Sequence, residues 1–282
     1  MRNGFKFNGR HTSEFGVTAR TKSRPVIPAV KRHTLDLPYR DGEYDFSASN
    51  PDNREHFMNR FFTISLTVTA DNLTELQGRI GKLSLWLSGS GELIFDDIPL
   101  IVWRGRISDE VIYMPERGGR QAQIDVSFRV DPFGKNIFGI EGPALDTAMP
   151  LDSNIPLTLE EKYIYTVTGA AELSVVNFGD RPARPIVTIE GIAGRFTMSL
   201  GEKSLSFDSS QSTTVDFDKQ MVTNASGAAI KVTGEFFEFG DGANILNITS
   251  SNSNTLIVTV SYTPEYMYGA DYSEIEWGEA SA

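Results

Sequence analysis

The chain has 282 residues, 40% of them hydrophobic and 11% aromatic, a composition that excludes disorder throughout and leaves room for two ordinary domains. It contains no cysteine, which excludes a disulfide framework and a thiolate metal site. The net charge of -11 is unevenly divided: residues 1–140 carry 19 Lys and Arg against 17 Asp and Glu, and residues 141–282 carry 7 against 20, so the second half repels a polyanion and nucleic-acid binding is disfavoured.

The opening Met-Arg-Asn-Gly-Phe-Lys-Phe is polar, and no apolar stretch approaches the roughly 20 residues that span a bilayer. The expectation is a cytoplasmic product with no secretory signal and no membrane insertion. Within residues 1–35, Arg2, Lys6, Arg10, Arg20, Lys22, Arg24, Lys31 and Arg32 face Glu14 alone. This predicts a flexible basic arm before residue 36, suited to an acidic surface or a phosphate backbone, although a solvated loop has the same pattern. Asp41-Gly42 predicts a hairpin turn, while the alternating Asp41, Glu43 and Asp45 lack the remaining ligands of an EF-hand.

Residues 62–70 alternate apolar with Thr or Ser and predict a half-buried strand with Thr63, Ser65, Thr67 and Thr69 on its wet or partner-facing side. A helix is expected over residues 72–88, because Leu73, Leu76, Ile80, Leu83 and Leu87 form one apolar stripe and Asn72 with Glu75 reads as a capping box. Its place is on a sheet of its own domain rather than in a coiled coil. Short strands follow at 92–95, 100–103 and 106–114, then a cleanly alternating strand at 123–130 that Asp131-Pro-Phe-Gly134 stops.

The Gly- and Pro-containing stretch 135–160 marks a domain crossing, giving domains 1–138 and 139–282. Beyond it, strands are expected at 163–167, 171–176, 185–190, 196–200, 204–207, 213–217, 230–233, 244–248 and 255–262, a spacing that indicates a sandwich of two antiparallel sheets. The acidic, aromatic tail from Pro264 to Ala282 is expected to dock on a basic surface such as the amino segment. The fold class is therefore all-β with one short helix.

No residue pattern announces catalysis. His11, His33 and His56 lack the spacing of a metal pair, and there is neither a G-x-S-x-G elbow nor a phosphate-cradling G-x-x-x-x-G-K-[ST] loop. Carboxylates are abundant enough that some pair always looks suitable for glycoside hydrolysis, so their number identifies nothing. No enzyme activity, cofactor or metal is expected.

Two stretches together resemble the distal tail proteins of long-tailed phages and prophages of Gram-positive bacteria. The first is Gly4-Phe-Lys-Phe-Asn-Gly-Arg10, then Phe15-Gly-Val17, then Tyr39-Arg-Asp-Gly-Glu-Tyr-Asp45, with the closing Val130-Asp-Pro-Phe-Gly134. The second is Val176-Asn-Phe-Gly179 with Arg181, Pro182 and Pro185, running into Ile186-Val-Thr-Ile-Glu-Gly191, and later Phe236-Phe-Glu-Phe-Gly-Asp-Gly-Ala-Asn-Ile245. The resemblance implies an amino-terminal domain that joins copies into a hexameric hub ring and a galectin-like sandwich, related to carbohydrate-binding modules, projecting outward. It further implies a place at the virion tail tip, between tail tube protein and the tail-associated spike or lysin protein, with receptor-binding or baseplate proteins as further partners. DNA would be met only in passage through the channel. Arg20, Lys22, Arg24, Lys31, Arg32, Thr63, Ser65 and Thr67 are the candidate contact residues. The alternative reading is a carbohydrate-binding adhesin module for host cell-wall glycans, weakened because Trp86 and Trp103 fall in the first domain and only Trp277 in the second half.

Overall fold

The computed structural model describes residues 4–39, 41–47, 49, 55–115, 118–137 and 162–269. The expected crossing at 138/139 and the tail beyond Gly269, including Trp277, lie outside these residues. Of the described residues, those up to Gly134 together with Met267–Gly269 form one compact unit, and those from Lys135 to Tyr266 form the second.

The first unit contains β1 (Phe5–Phe7), β2 (Arg10–His11), a 3-10 turn (Thr12–Phe15), β3 (Val17–Ser23), β4 (Thr34–Asp36), β5 (Glu43–Asp45), β6 (Arg60–Thr69), α1 (Leu73–Leu87), β7 (Ser90–Phe95), β8 (Ile98–Ile107), β9 (Ile112–Pro115) and β10 (Gln121–Val130). Its main sheet has the order β2-β1-β7-β8-β10-β6-β3, with β9 continuing along β10. The alternation in β6 and β10 places Phe62, Ile64, Leu66, Val68, Ile124, Val126, Phe128 and Val130 on one face, where all are buried. Across that core the sheet meets itself: Phe5 and Phe7 lie 5.7 and 5.2 Å from Phe128, and Phe62 lies 5.7 Å from Phe95 and 5.5 Å from Trp103. Edge-on and tilted ring geometries of this kind add to the burial of the rings themselves.

Helix α1 closes the unit with Leu76, Leu83, Trp86 and Leu87 buried. Leu73, placed by its spacing on the apolar stripe, is instead exposed, because the stripe of a helix meets the sheet only where the sheet lies beneath it. Trp86 takes over: its ring stacks on Phe15 at 4.3 Å and on Phe5 at 5.6 Å, and its indole N–H donates to the Phe7 carbonyl at 2.8 Å. Half of the expected capping box forms. The Glu75 amide donates to the Asn72 side chain at 2.9 Å, while the Glu75 carboxylate accepts from Asp71, one residue earlier than the box requires.

Two strand expectations need correction. The 100–103 and 106–114 segments are divided differently, as β8 through Ile107 and β9 from Ile112. Gly105 does not interrupt β8; it lets β10 approach, since a Cβ there would sit 2.6 Å from the Arg129 carbonyl oxygen. The basic amino segment is not a flexible arm up to residue 36, because Val17–Ser23 pairs along β6. The described residues between Pro25 and Met58 do leave the sheet and carry the separate hairpin β4-β5, with Leu35 opposite Tyr44 and Gly42 at φ 79° in its turn.

The second unit contains β11 (Lys135–Asn136), β12 (Lys162–Thr168), β13 (Ala170–Asn177), β14 (Ile186–Glu190), β15 (Gly194–Leu200), β16 (Lys203–Ser209), β17 (Thr213–Asp216), β18 (Met221–Asn224), β19 (Val232–Gly234), β20 (Gly242–Ser250) and β21 (Thr255–Ser261). Two antiparallel five-stranded sheets, β12-β21-β14-β17-β18 and β13-β20-β15-β16-β19, enclose a core of Val187, Ile189, Phe196, Phe207, Val215, Phe239, Leu246, Val258 and their neighbours. The strands expected from the alternation are present, and the short β11 and β18 are those the sequence pattern missed. Among the described residues the fold is all-β with one α-helix, as expected.

Candidate assembly interface

Three strands of the first unit carry a polar face opposite the aromatic core. Their register sets Thr18 beside Thr67 and Gln123, Arg20 beside Ser65 and Asp125, and Ser23 beside Thr63 and Ser127. Thr63 and Thr67 are half-buried, as expected of a sheet face, but Ser65 is buried. Lys22 explains this: its Nζ reaches across β6 to the Asp125 carboxylate at 2.6 Å and lies over the small serine. The lysine hydrogen bond holds the Asp125 carboxyl below the usual carboxylate range, with further help from Ser65 and Gln123. Arg20 is exposed beside this pair. Farther along the sheet the same face becomes basic, with Arg106 directly opposite Arg129 and Arg104 opposite Glu92.

Arg24 behaves differently from its basic neighbours. Both its terminal nitrogens pair with Asp97, one at 2.9 Å, and its guanidinium lies 4.5 Å from the Phe95 ring centre and 5.0 Å from that of Tyr268. A planar guanidinium suits this combination of a two-point carboxylate grip and aromatic stacking. Arg24 is thus committed within its own unit. Lys31 and Arg32 lie exposed on the segment that leads into the β4-β5 hairpin.

The root of that segment is held by a residue that sequence reasoning passed over. Arg60, buried, donates to the carbonyl oxygens of Pro132 at 2.6 Å, Pro25 at 3.2 Å and Val26 at 3.0 Å. Burial lowers its pKa to about 10, so it stays charged at neutral pH. Its position at the start of an alternating strand was the only available signal. Backbone bonds from Lys31 to His56 and from Met58 to Ala29, both 2.7 Å, continue the stem outward.

Both lateral edges of the β3-β6-β10-β9 layer lack a strand partner among the described residues. β9 is bounded by the exposed run Val111, Ile112, Tyr113 and Met114, and between it and α1 lies a cleft of about 470 Å³ lined by Ile80, Leu83, Leu87, Ile107, Val111 and Tyr113. Unpaired edges with apolar side chains are templates for another chain. Among the described residues no helix is long and apolar enough to cross a membrane, and no group of three His, Asp or Glu side chains is placed to hold a metal ion. Trp86 and Trp103 are both buried and offer no platform for a sugar.

No protein-family model matches the chain, and neither does any curated protein. Among solved structures it is similar to the SPP1 Dit protein, presented as a paradigm of the hub adsorption apparatus in phages infecting Gram-positive bacteria. That likeness has a TM-score of 0.59 at 16% identity and covers 92% of this chain and 98% of that one. Two chains from the phage p2 baseplate in its activated conformation, with Ca and with Sr, align over 95% and 94% of this chain and 100% and 99% of theirs. Their identities of 8% and 7% and TM-scores of 0.37 and 0.32 are too low to argue from. The chain thus has the all-β fold of the SPP1 Dit protein, the fold that its sequence resemblance implied.

Proposed function

We propose that the chain is a non-enzymatic structural protein of a long-tailed phage tail tip, which assembles side by side into a hub ring, with six copies as the stoichiometry its resemblance implies. The observation that carries this reading is that, among the described residues, both edges of one layer of the first unit are free. Pairing β9 of one copy with β3 of the next is a heterologous contact, and such a contact repeats around an axis until it closes. Charge favours that pairing over one between like edges: Asp109 and Glu110 precede β9, while Arg20 stands exposed on β3.

The hydrated face bearing Thr63 and Thr67 would then form the wall of a central channel, through which DNA passes without being read. The fold shared with the SPP1 Dit protein, described as a hub adsorption protein, supports a place in the tail tip, and the sequence resemblance sets that place between tail tube protein and the tail-associated spike or lysin protein. In this reading the second unit is a sandwich that offers docking area to other baseplate components. Purified protein examined by light scattering and negative-stain microscopy is expected to form closed rings well above the 31.2 kDa of one chain. A monomer at every concentration tested would remove the proposal.

A further inference from the structure

Among the described residues, the sandwich of the second unit ends in β12 and β18 in one sheet and in β13 and β19 in the other. β18 is covered by its own chain, through a bridge between Thr223 and Ala229 and a bond from the Ile230 amide to the Val222 carbonyl at 2.8 Å, and β19 has only three residues. β13 is longer, with eight residues, and has a strand partner, β20, on one side alone. An edge of that length is a template for another strand.

The facing sheet answers it with side chains. Tyr163 and Tyr165 stand two apart on β12 and pack against the core, their rings nearly parallel and 6.3 Å apart. The Tyr165 hydroxyl donates to the Ser174 carbonyl. The Tyr163 hydroxyl donates to the Val176 carbonyl at 3.2 Å and accepts from the Val176 amide at 3.4 Å. Buried Tyr262, stacked on Tyr163, also donates its hydroxyl to the Val176 carbonyl, so both lone pairs of that oxygen are taken.

Ser174 and Val176 are two apart on β13, so their backbone groups leave the strand on the same side, the one that β20 does not use. Those are the groups an added strand would have to bond. Facing sheets stand about 10 Å apart, and a phenol ring spans that gap with its carbon face in the core and its hydroxyl on the opposite backbone. A phenylalanine in either place would keep the burial and lose the bonds.

We infer that Tyr163 and Tyr165 seal the β13 edge against strand addition, so that copies of the chain do not join through it. The inference goes beyond the ring reading, which concerns the edges of the first unit, and rests on separate observations.

The Tyr163→Phe, Tyr165→Phe double variant of the full chain is compared by light scattering with the parent and with Tyr39→Phe, which removes the hydroxyl of a fully exposed tyrosine in the first unit. The double variant is expected to melt cooperatively and to form species larger than those of the parent at a concentration at least ten-fold lower, while Tyr39→Phe behaves as the parent. Adding Ser174→Pro, which removes an outward amide and leaves the ladder to β20 in place, is expected to abolish the difference. A folded double variant that associates like the parent overturns the inference. So does extra association that the proline leaves unchanged, since destabilisation alone would produce it. Should the double variant not fold, Tyr165→Phe, which frees the Ser174 carbonyl alone, is read in the same way. A parent that stays monomeric while the double variant associates and the proline reverses it removes the ring reading and leaves the sealed edge standing.

Discussion

At the residue scale, the side chains that matter most to the first unit are those that resolve a conflict between polarity and burial. Arg60 is charged, buried and surrounded by carbonyl oxygens instead of carboxylates, so its hydrogen bonds rather than an ion pair offset its desolvation. Lys22 and Asp125 are about two-fifths and one-third exposed, and solvent screening keeps such a pair below about 1 kcal/mol. Because the Asp125 pKa is depressed in the folded chain, its contribution is present above the unfolded carboxylate value and is lost as pH falls through the folded one. We therefore expect Asp125→Asn to be less stable than the parent by a few tenths to about 1 kcal/mol at pH 7. That gap should close as pH drops below about 4, as read from chemical denaturation across pH. A gap independent of pH would show that Asp125 acts through its shape and not its charge.

The element scale separates helix signals that pattern alone treats as equal. Asn72 and Leu73 stand side by side at the start of α1, and both count toward the sequence prediction of that helix. In the structure Asn72 caps the helix through the Glu75 amide, whereas Leu73 faces outward. Asn72→Ala is expected to destabilise the first unit by about 1 kcal/mol, and Leu73→Ala by less than about 0.5 kcal/mol. Equal losses in urea denaturation would contradict this account. The turn motifs behind the family resemblance also prove to be element-forming. Asn177 links Gly179 and Arg181 within its turn, and Asn244 bonds Gly240 and Gly242 at the start of β20. At Gly134 a Cβ would lie 2.2 Å from Ile101, and at Gly179 one would lie 2.8 Å from the Glu265 amide. These residues specify the fold rather than any chemistry, which is why the motifs point to an architecture and not to a reaction.

For the molecule as a whole, each unit encloses its own aromatic and aliphatic core. A closed core of this kind folds without its neighbour. Residues 135–266 expressed alone are therefore expected to give a cooperative thermal transition and a β-rich circular dichroism spectrum. A fragment with neither would mean that the sandwich depends on the rest of the chain. The ring proposal belongs to the first unit, where, among the described residues, the free edges lie. Fragment and full chain consequently address separate questions.

Much of the architecture was legible in the sequence because burial on one side of a strand or helix leaves a period of two or of 3.6 residues. Phe62 to Ala70, Gln123 to Val130 and the regular strands of the second half were readable on that basis alone. Of the strands before residue 46 only the β4-β5 hairpin was announced, by its Asp41-Gly42 turn; the others are short or rich in Arg, Lys and Thr, and their pairing depends on a turn or on partners 40 or more residues away. The sequence also indicated a basic amino segment, but its charges look alike until the chain folds. Only the tertiary structure distributes them, with Arg24 locked to Asp97, Lys22 bonded to Asp125, Arg20 exposed on the edge strand β3 and Arg32 exposed ahead of the β4-β5 hairpin. The physical reason is that periodicity records which side of an element is buried, whereas partner, edge and cleft depend on contacts between segments far apart in the chain, which no local pattern encodes.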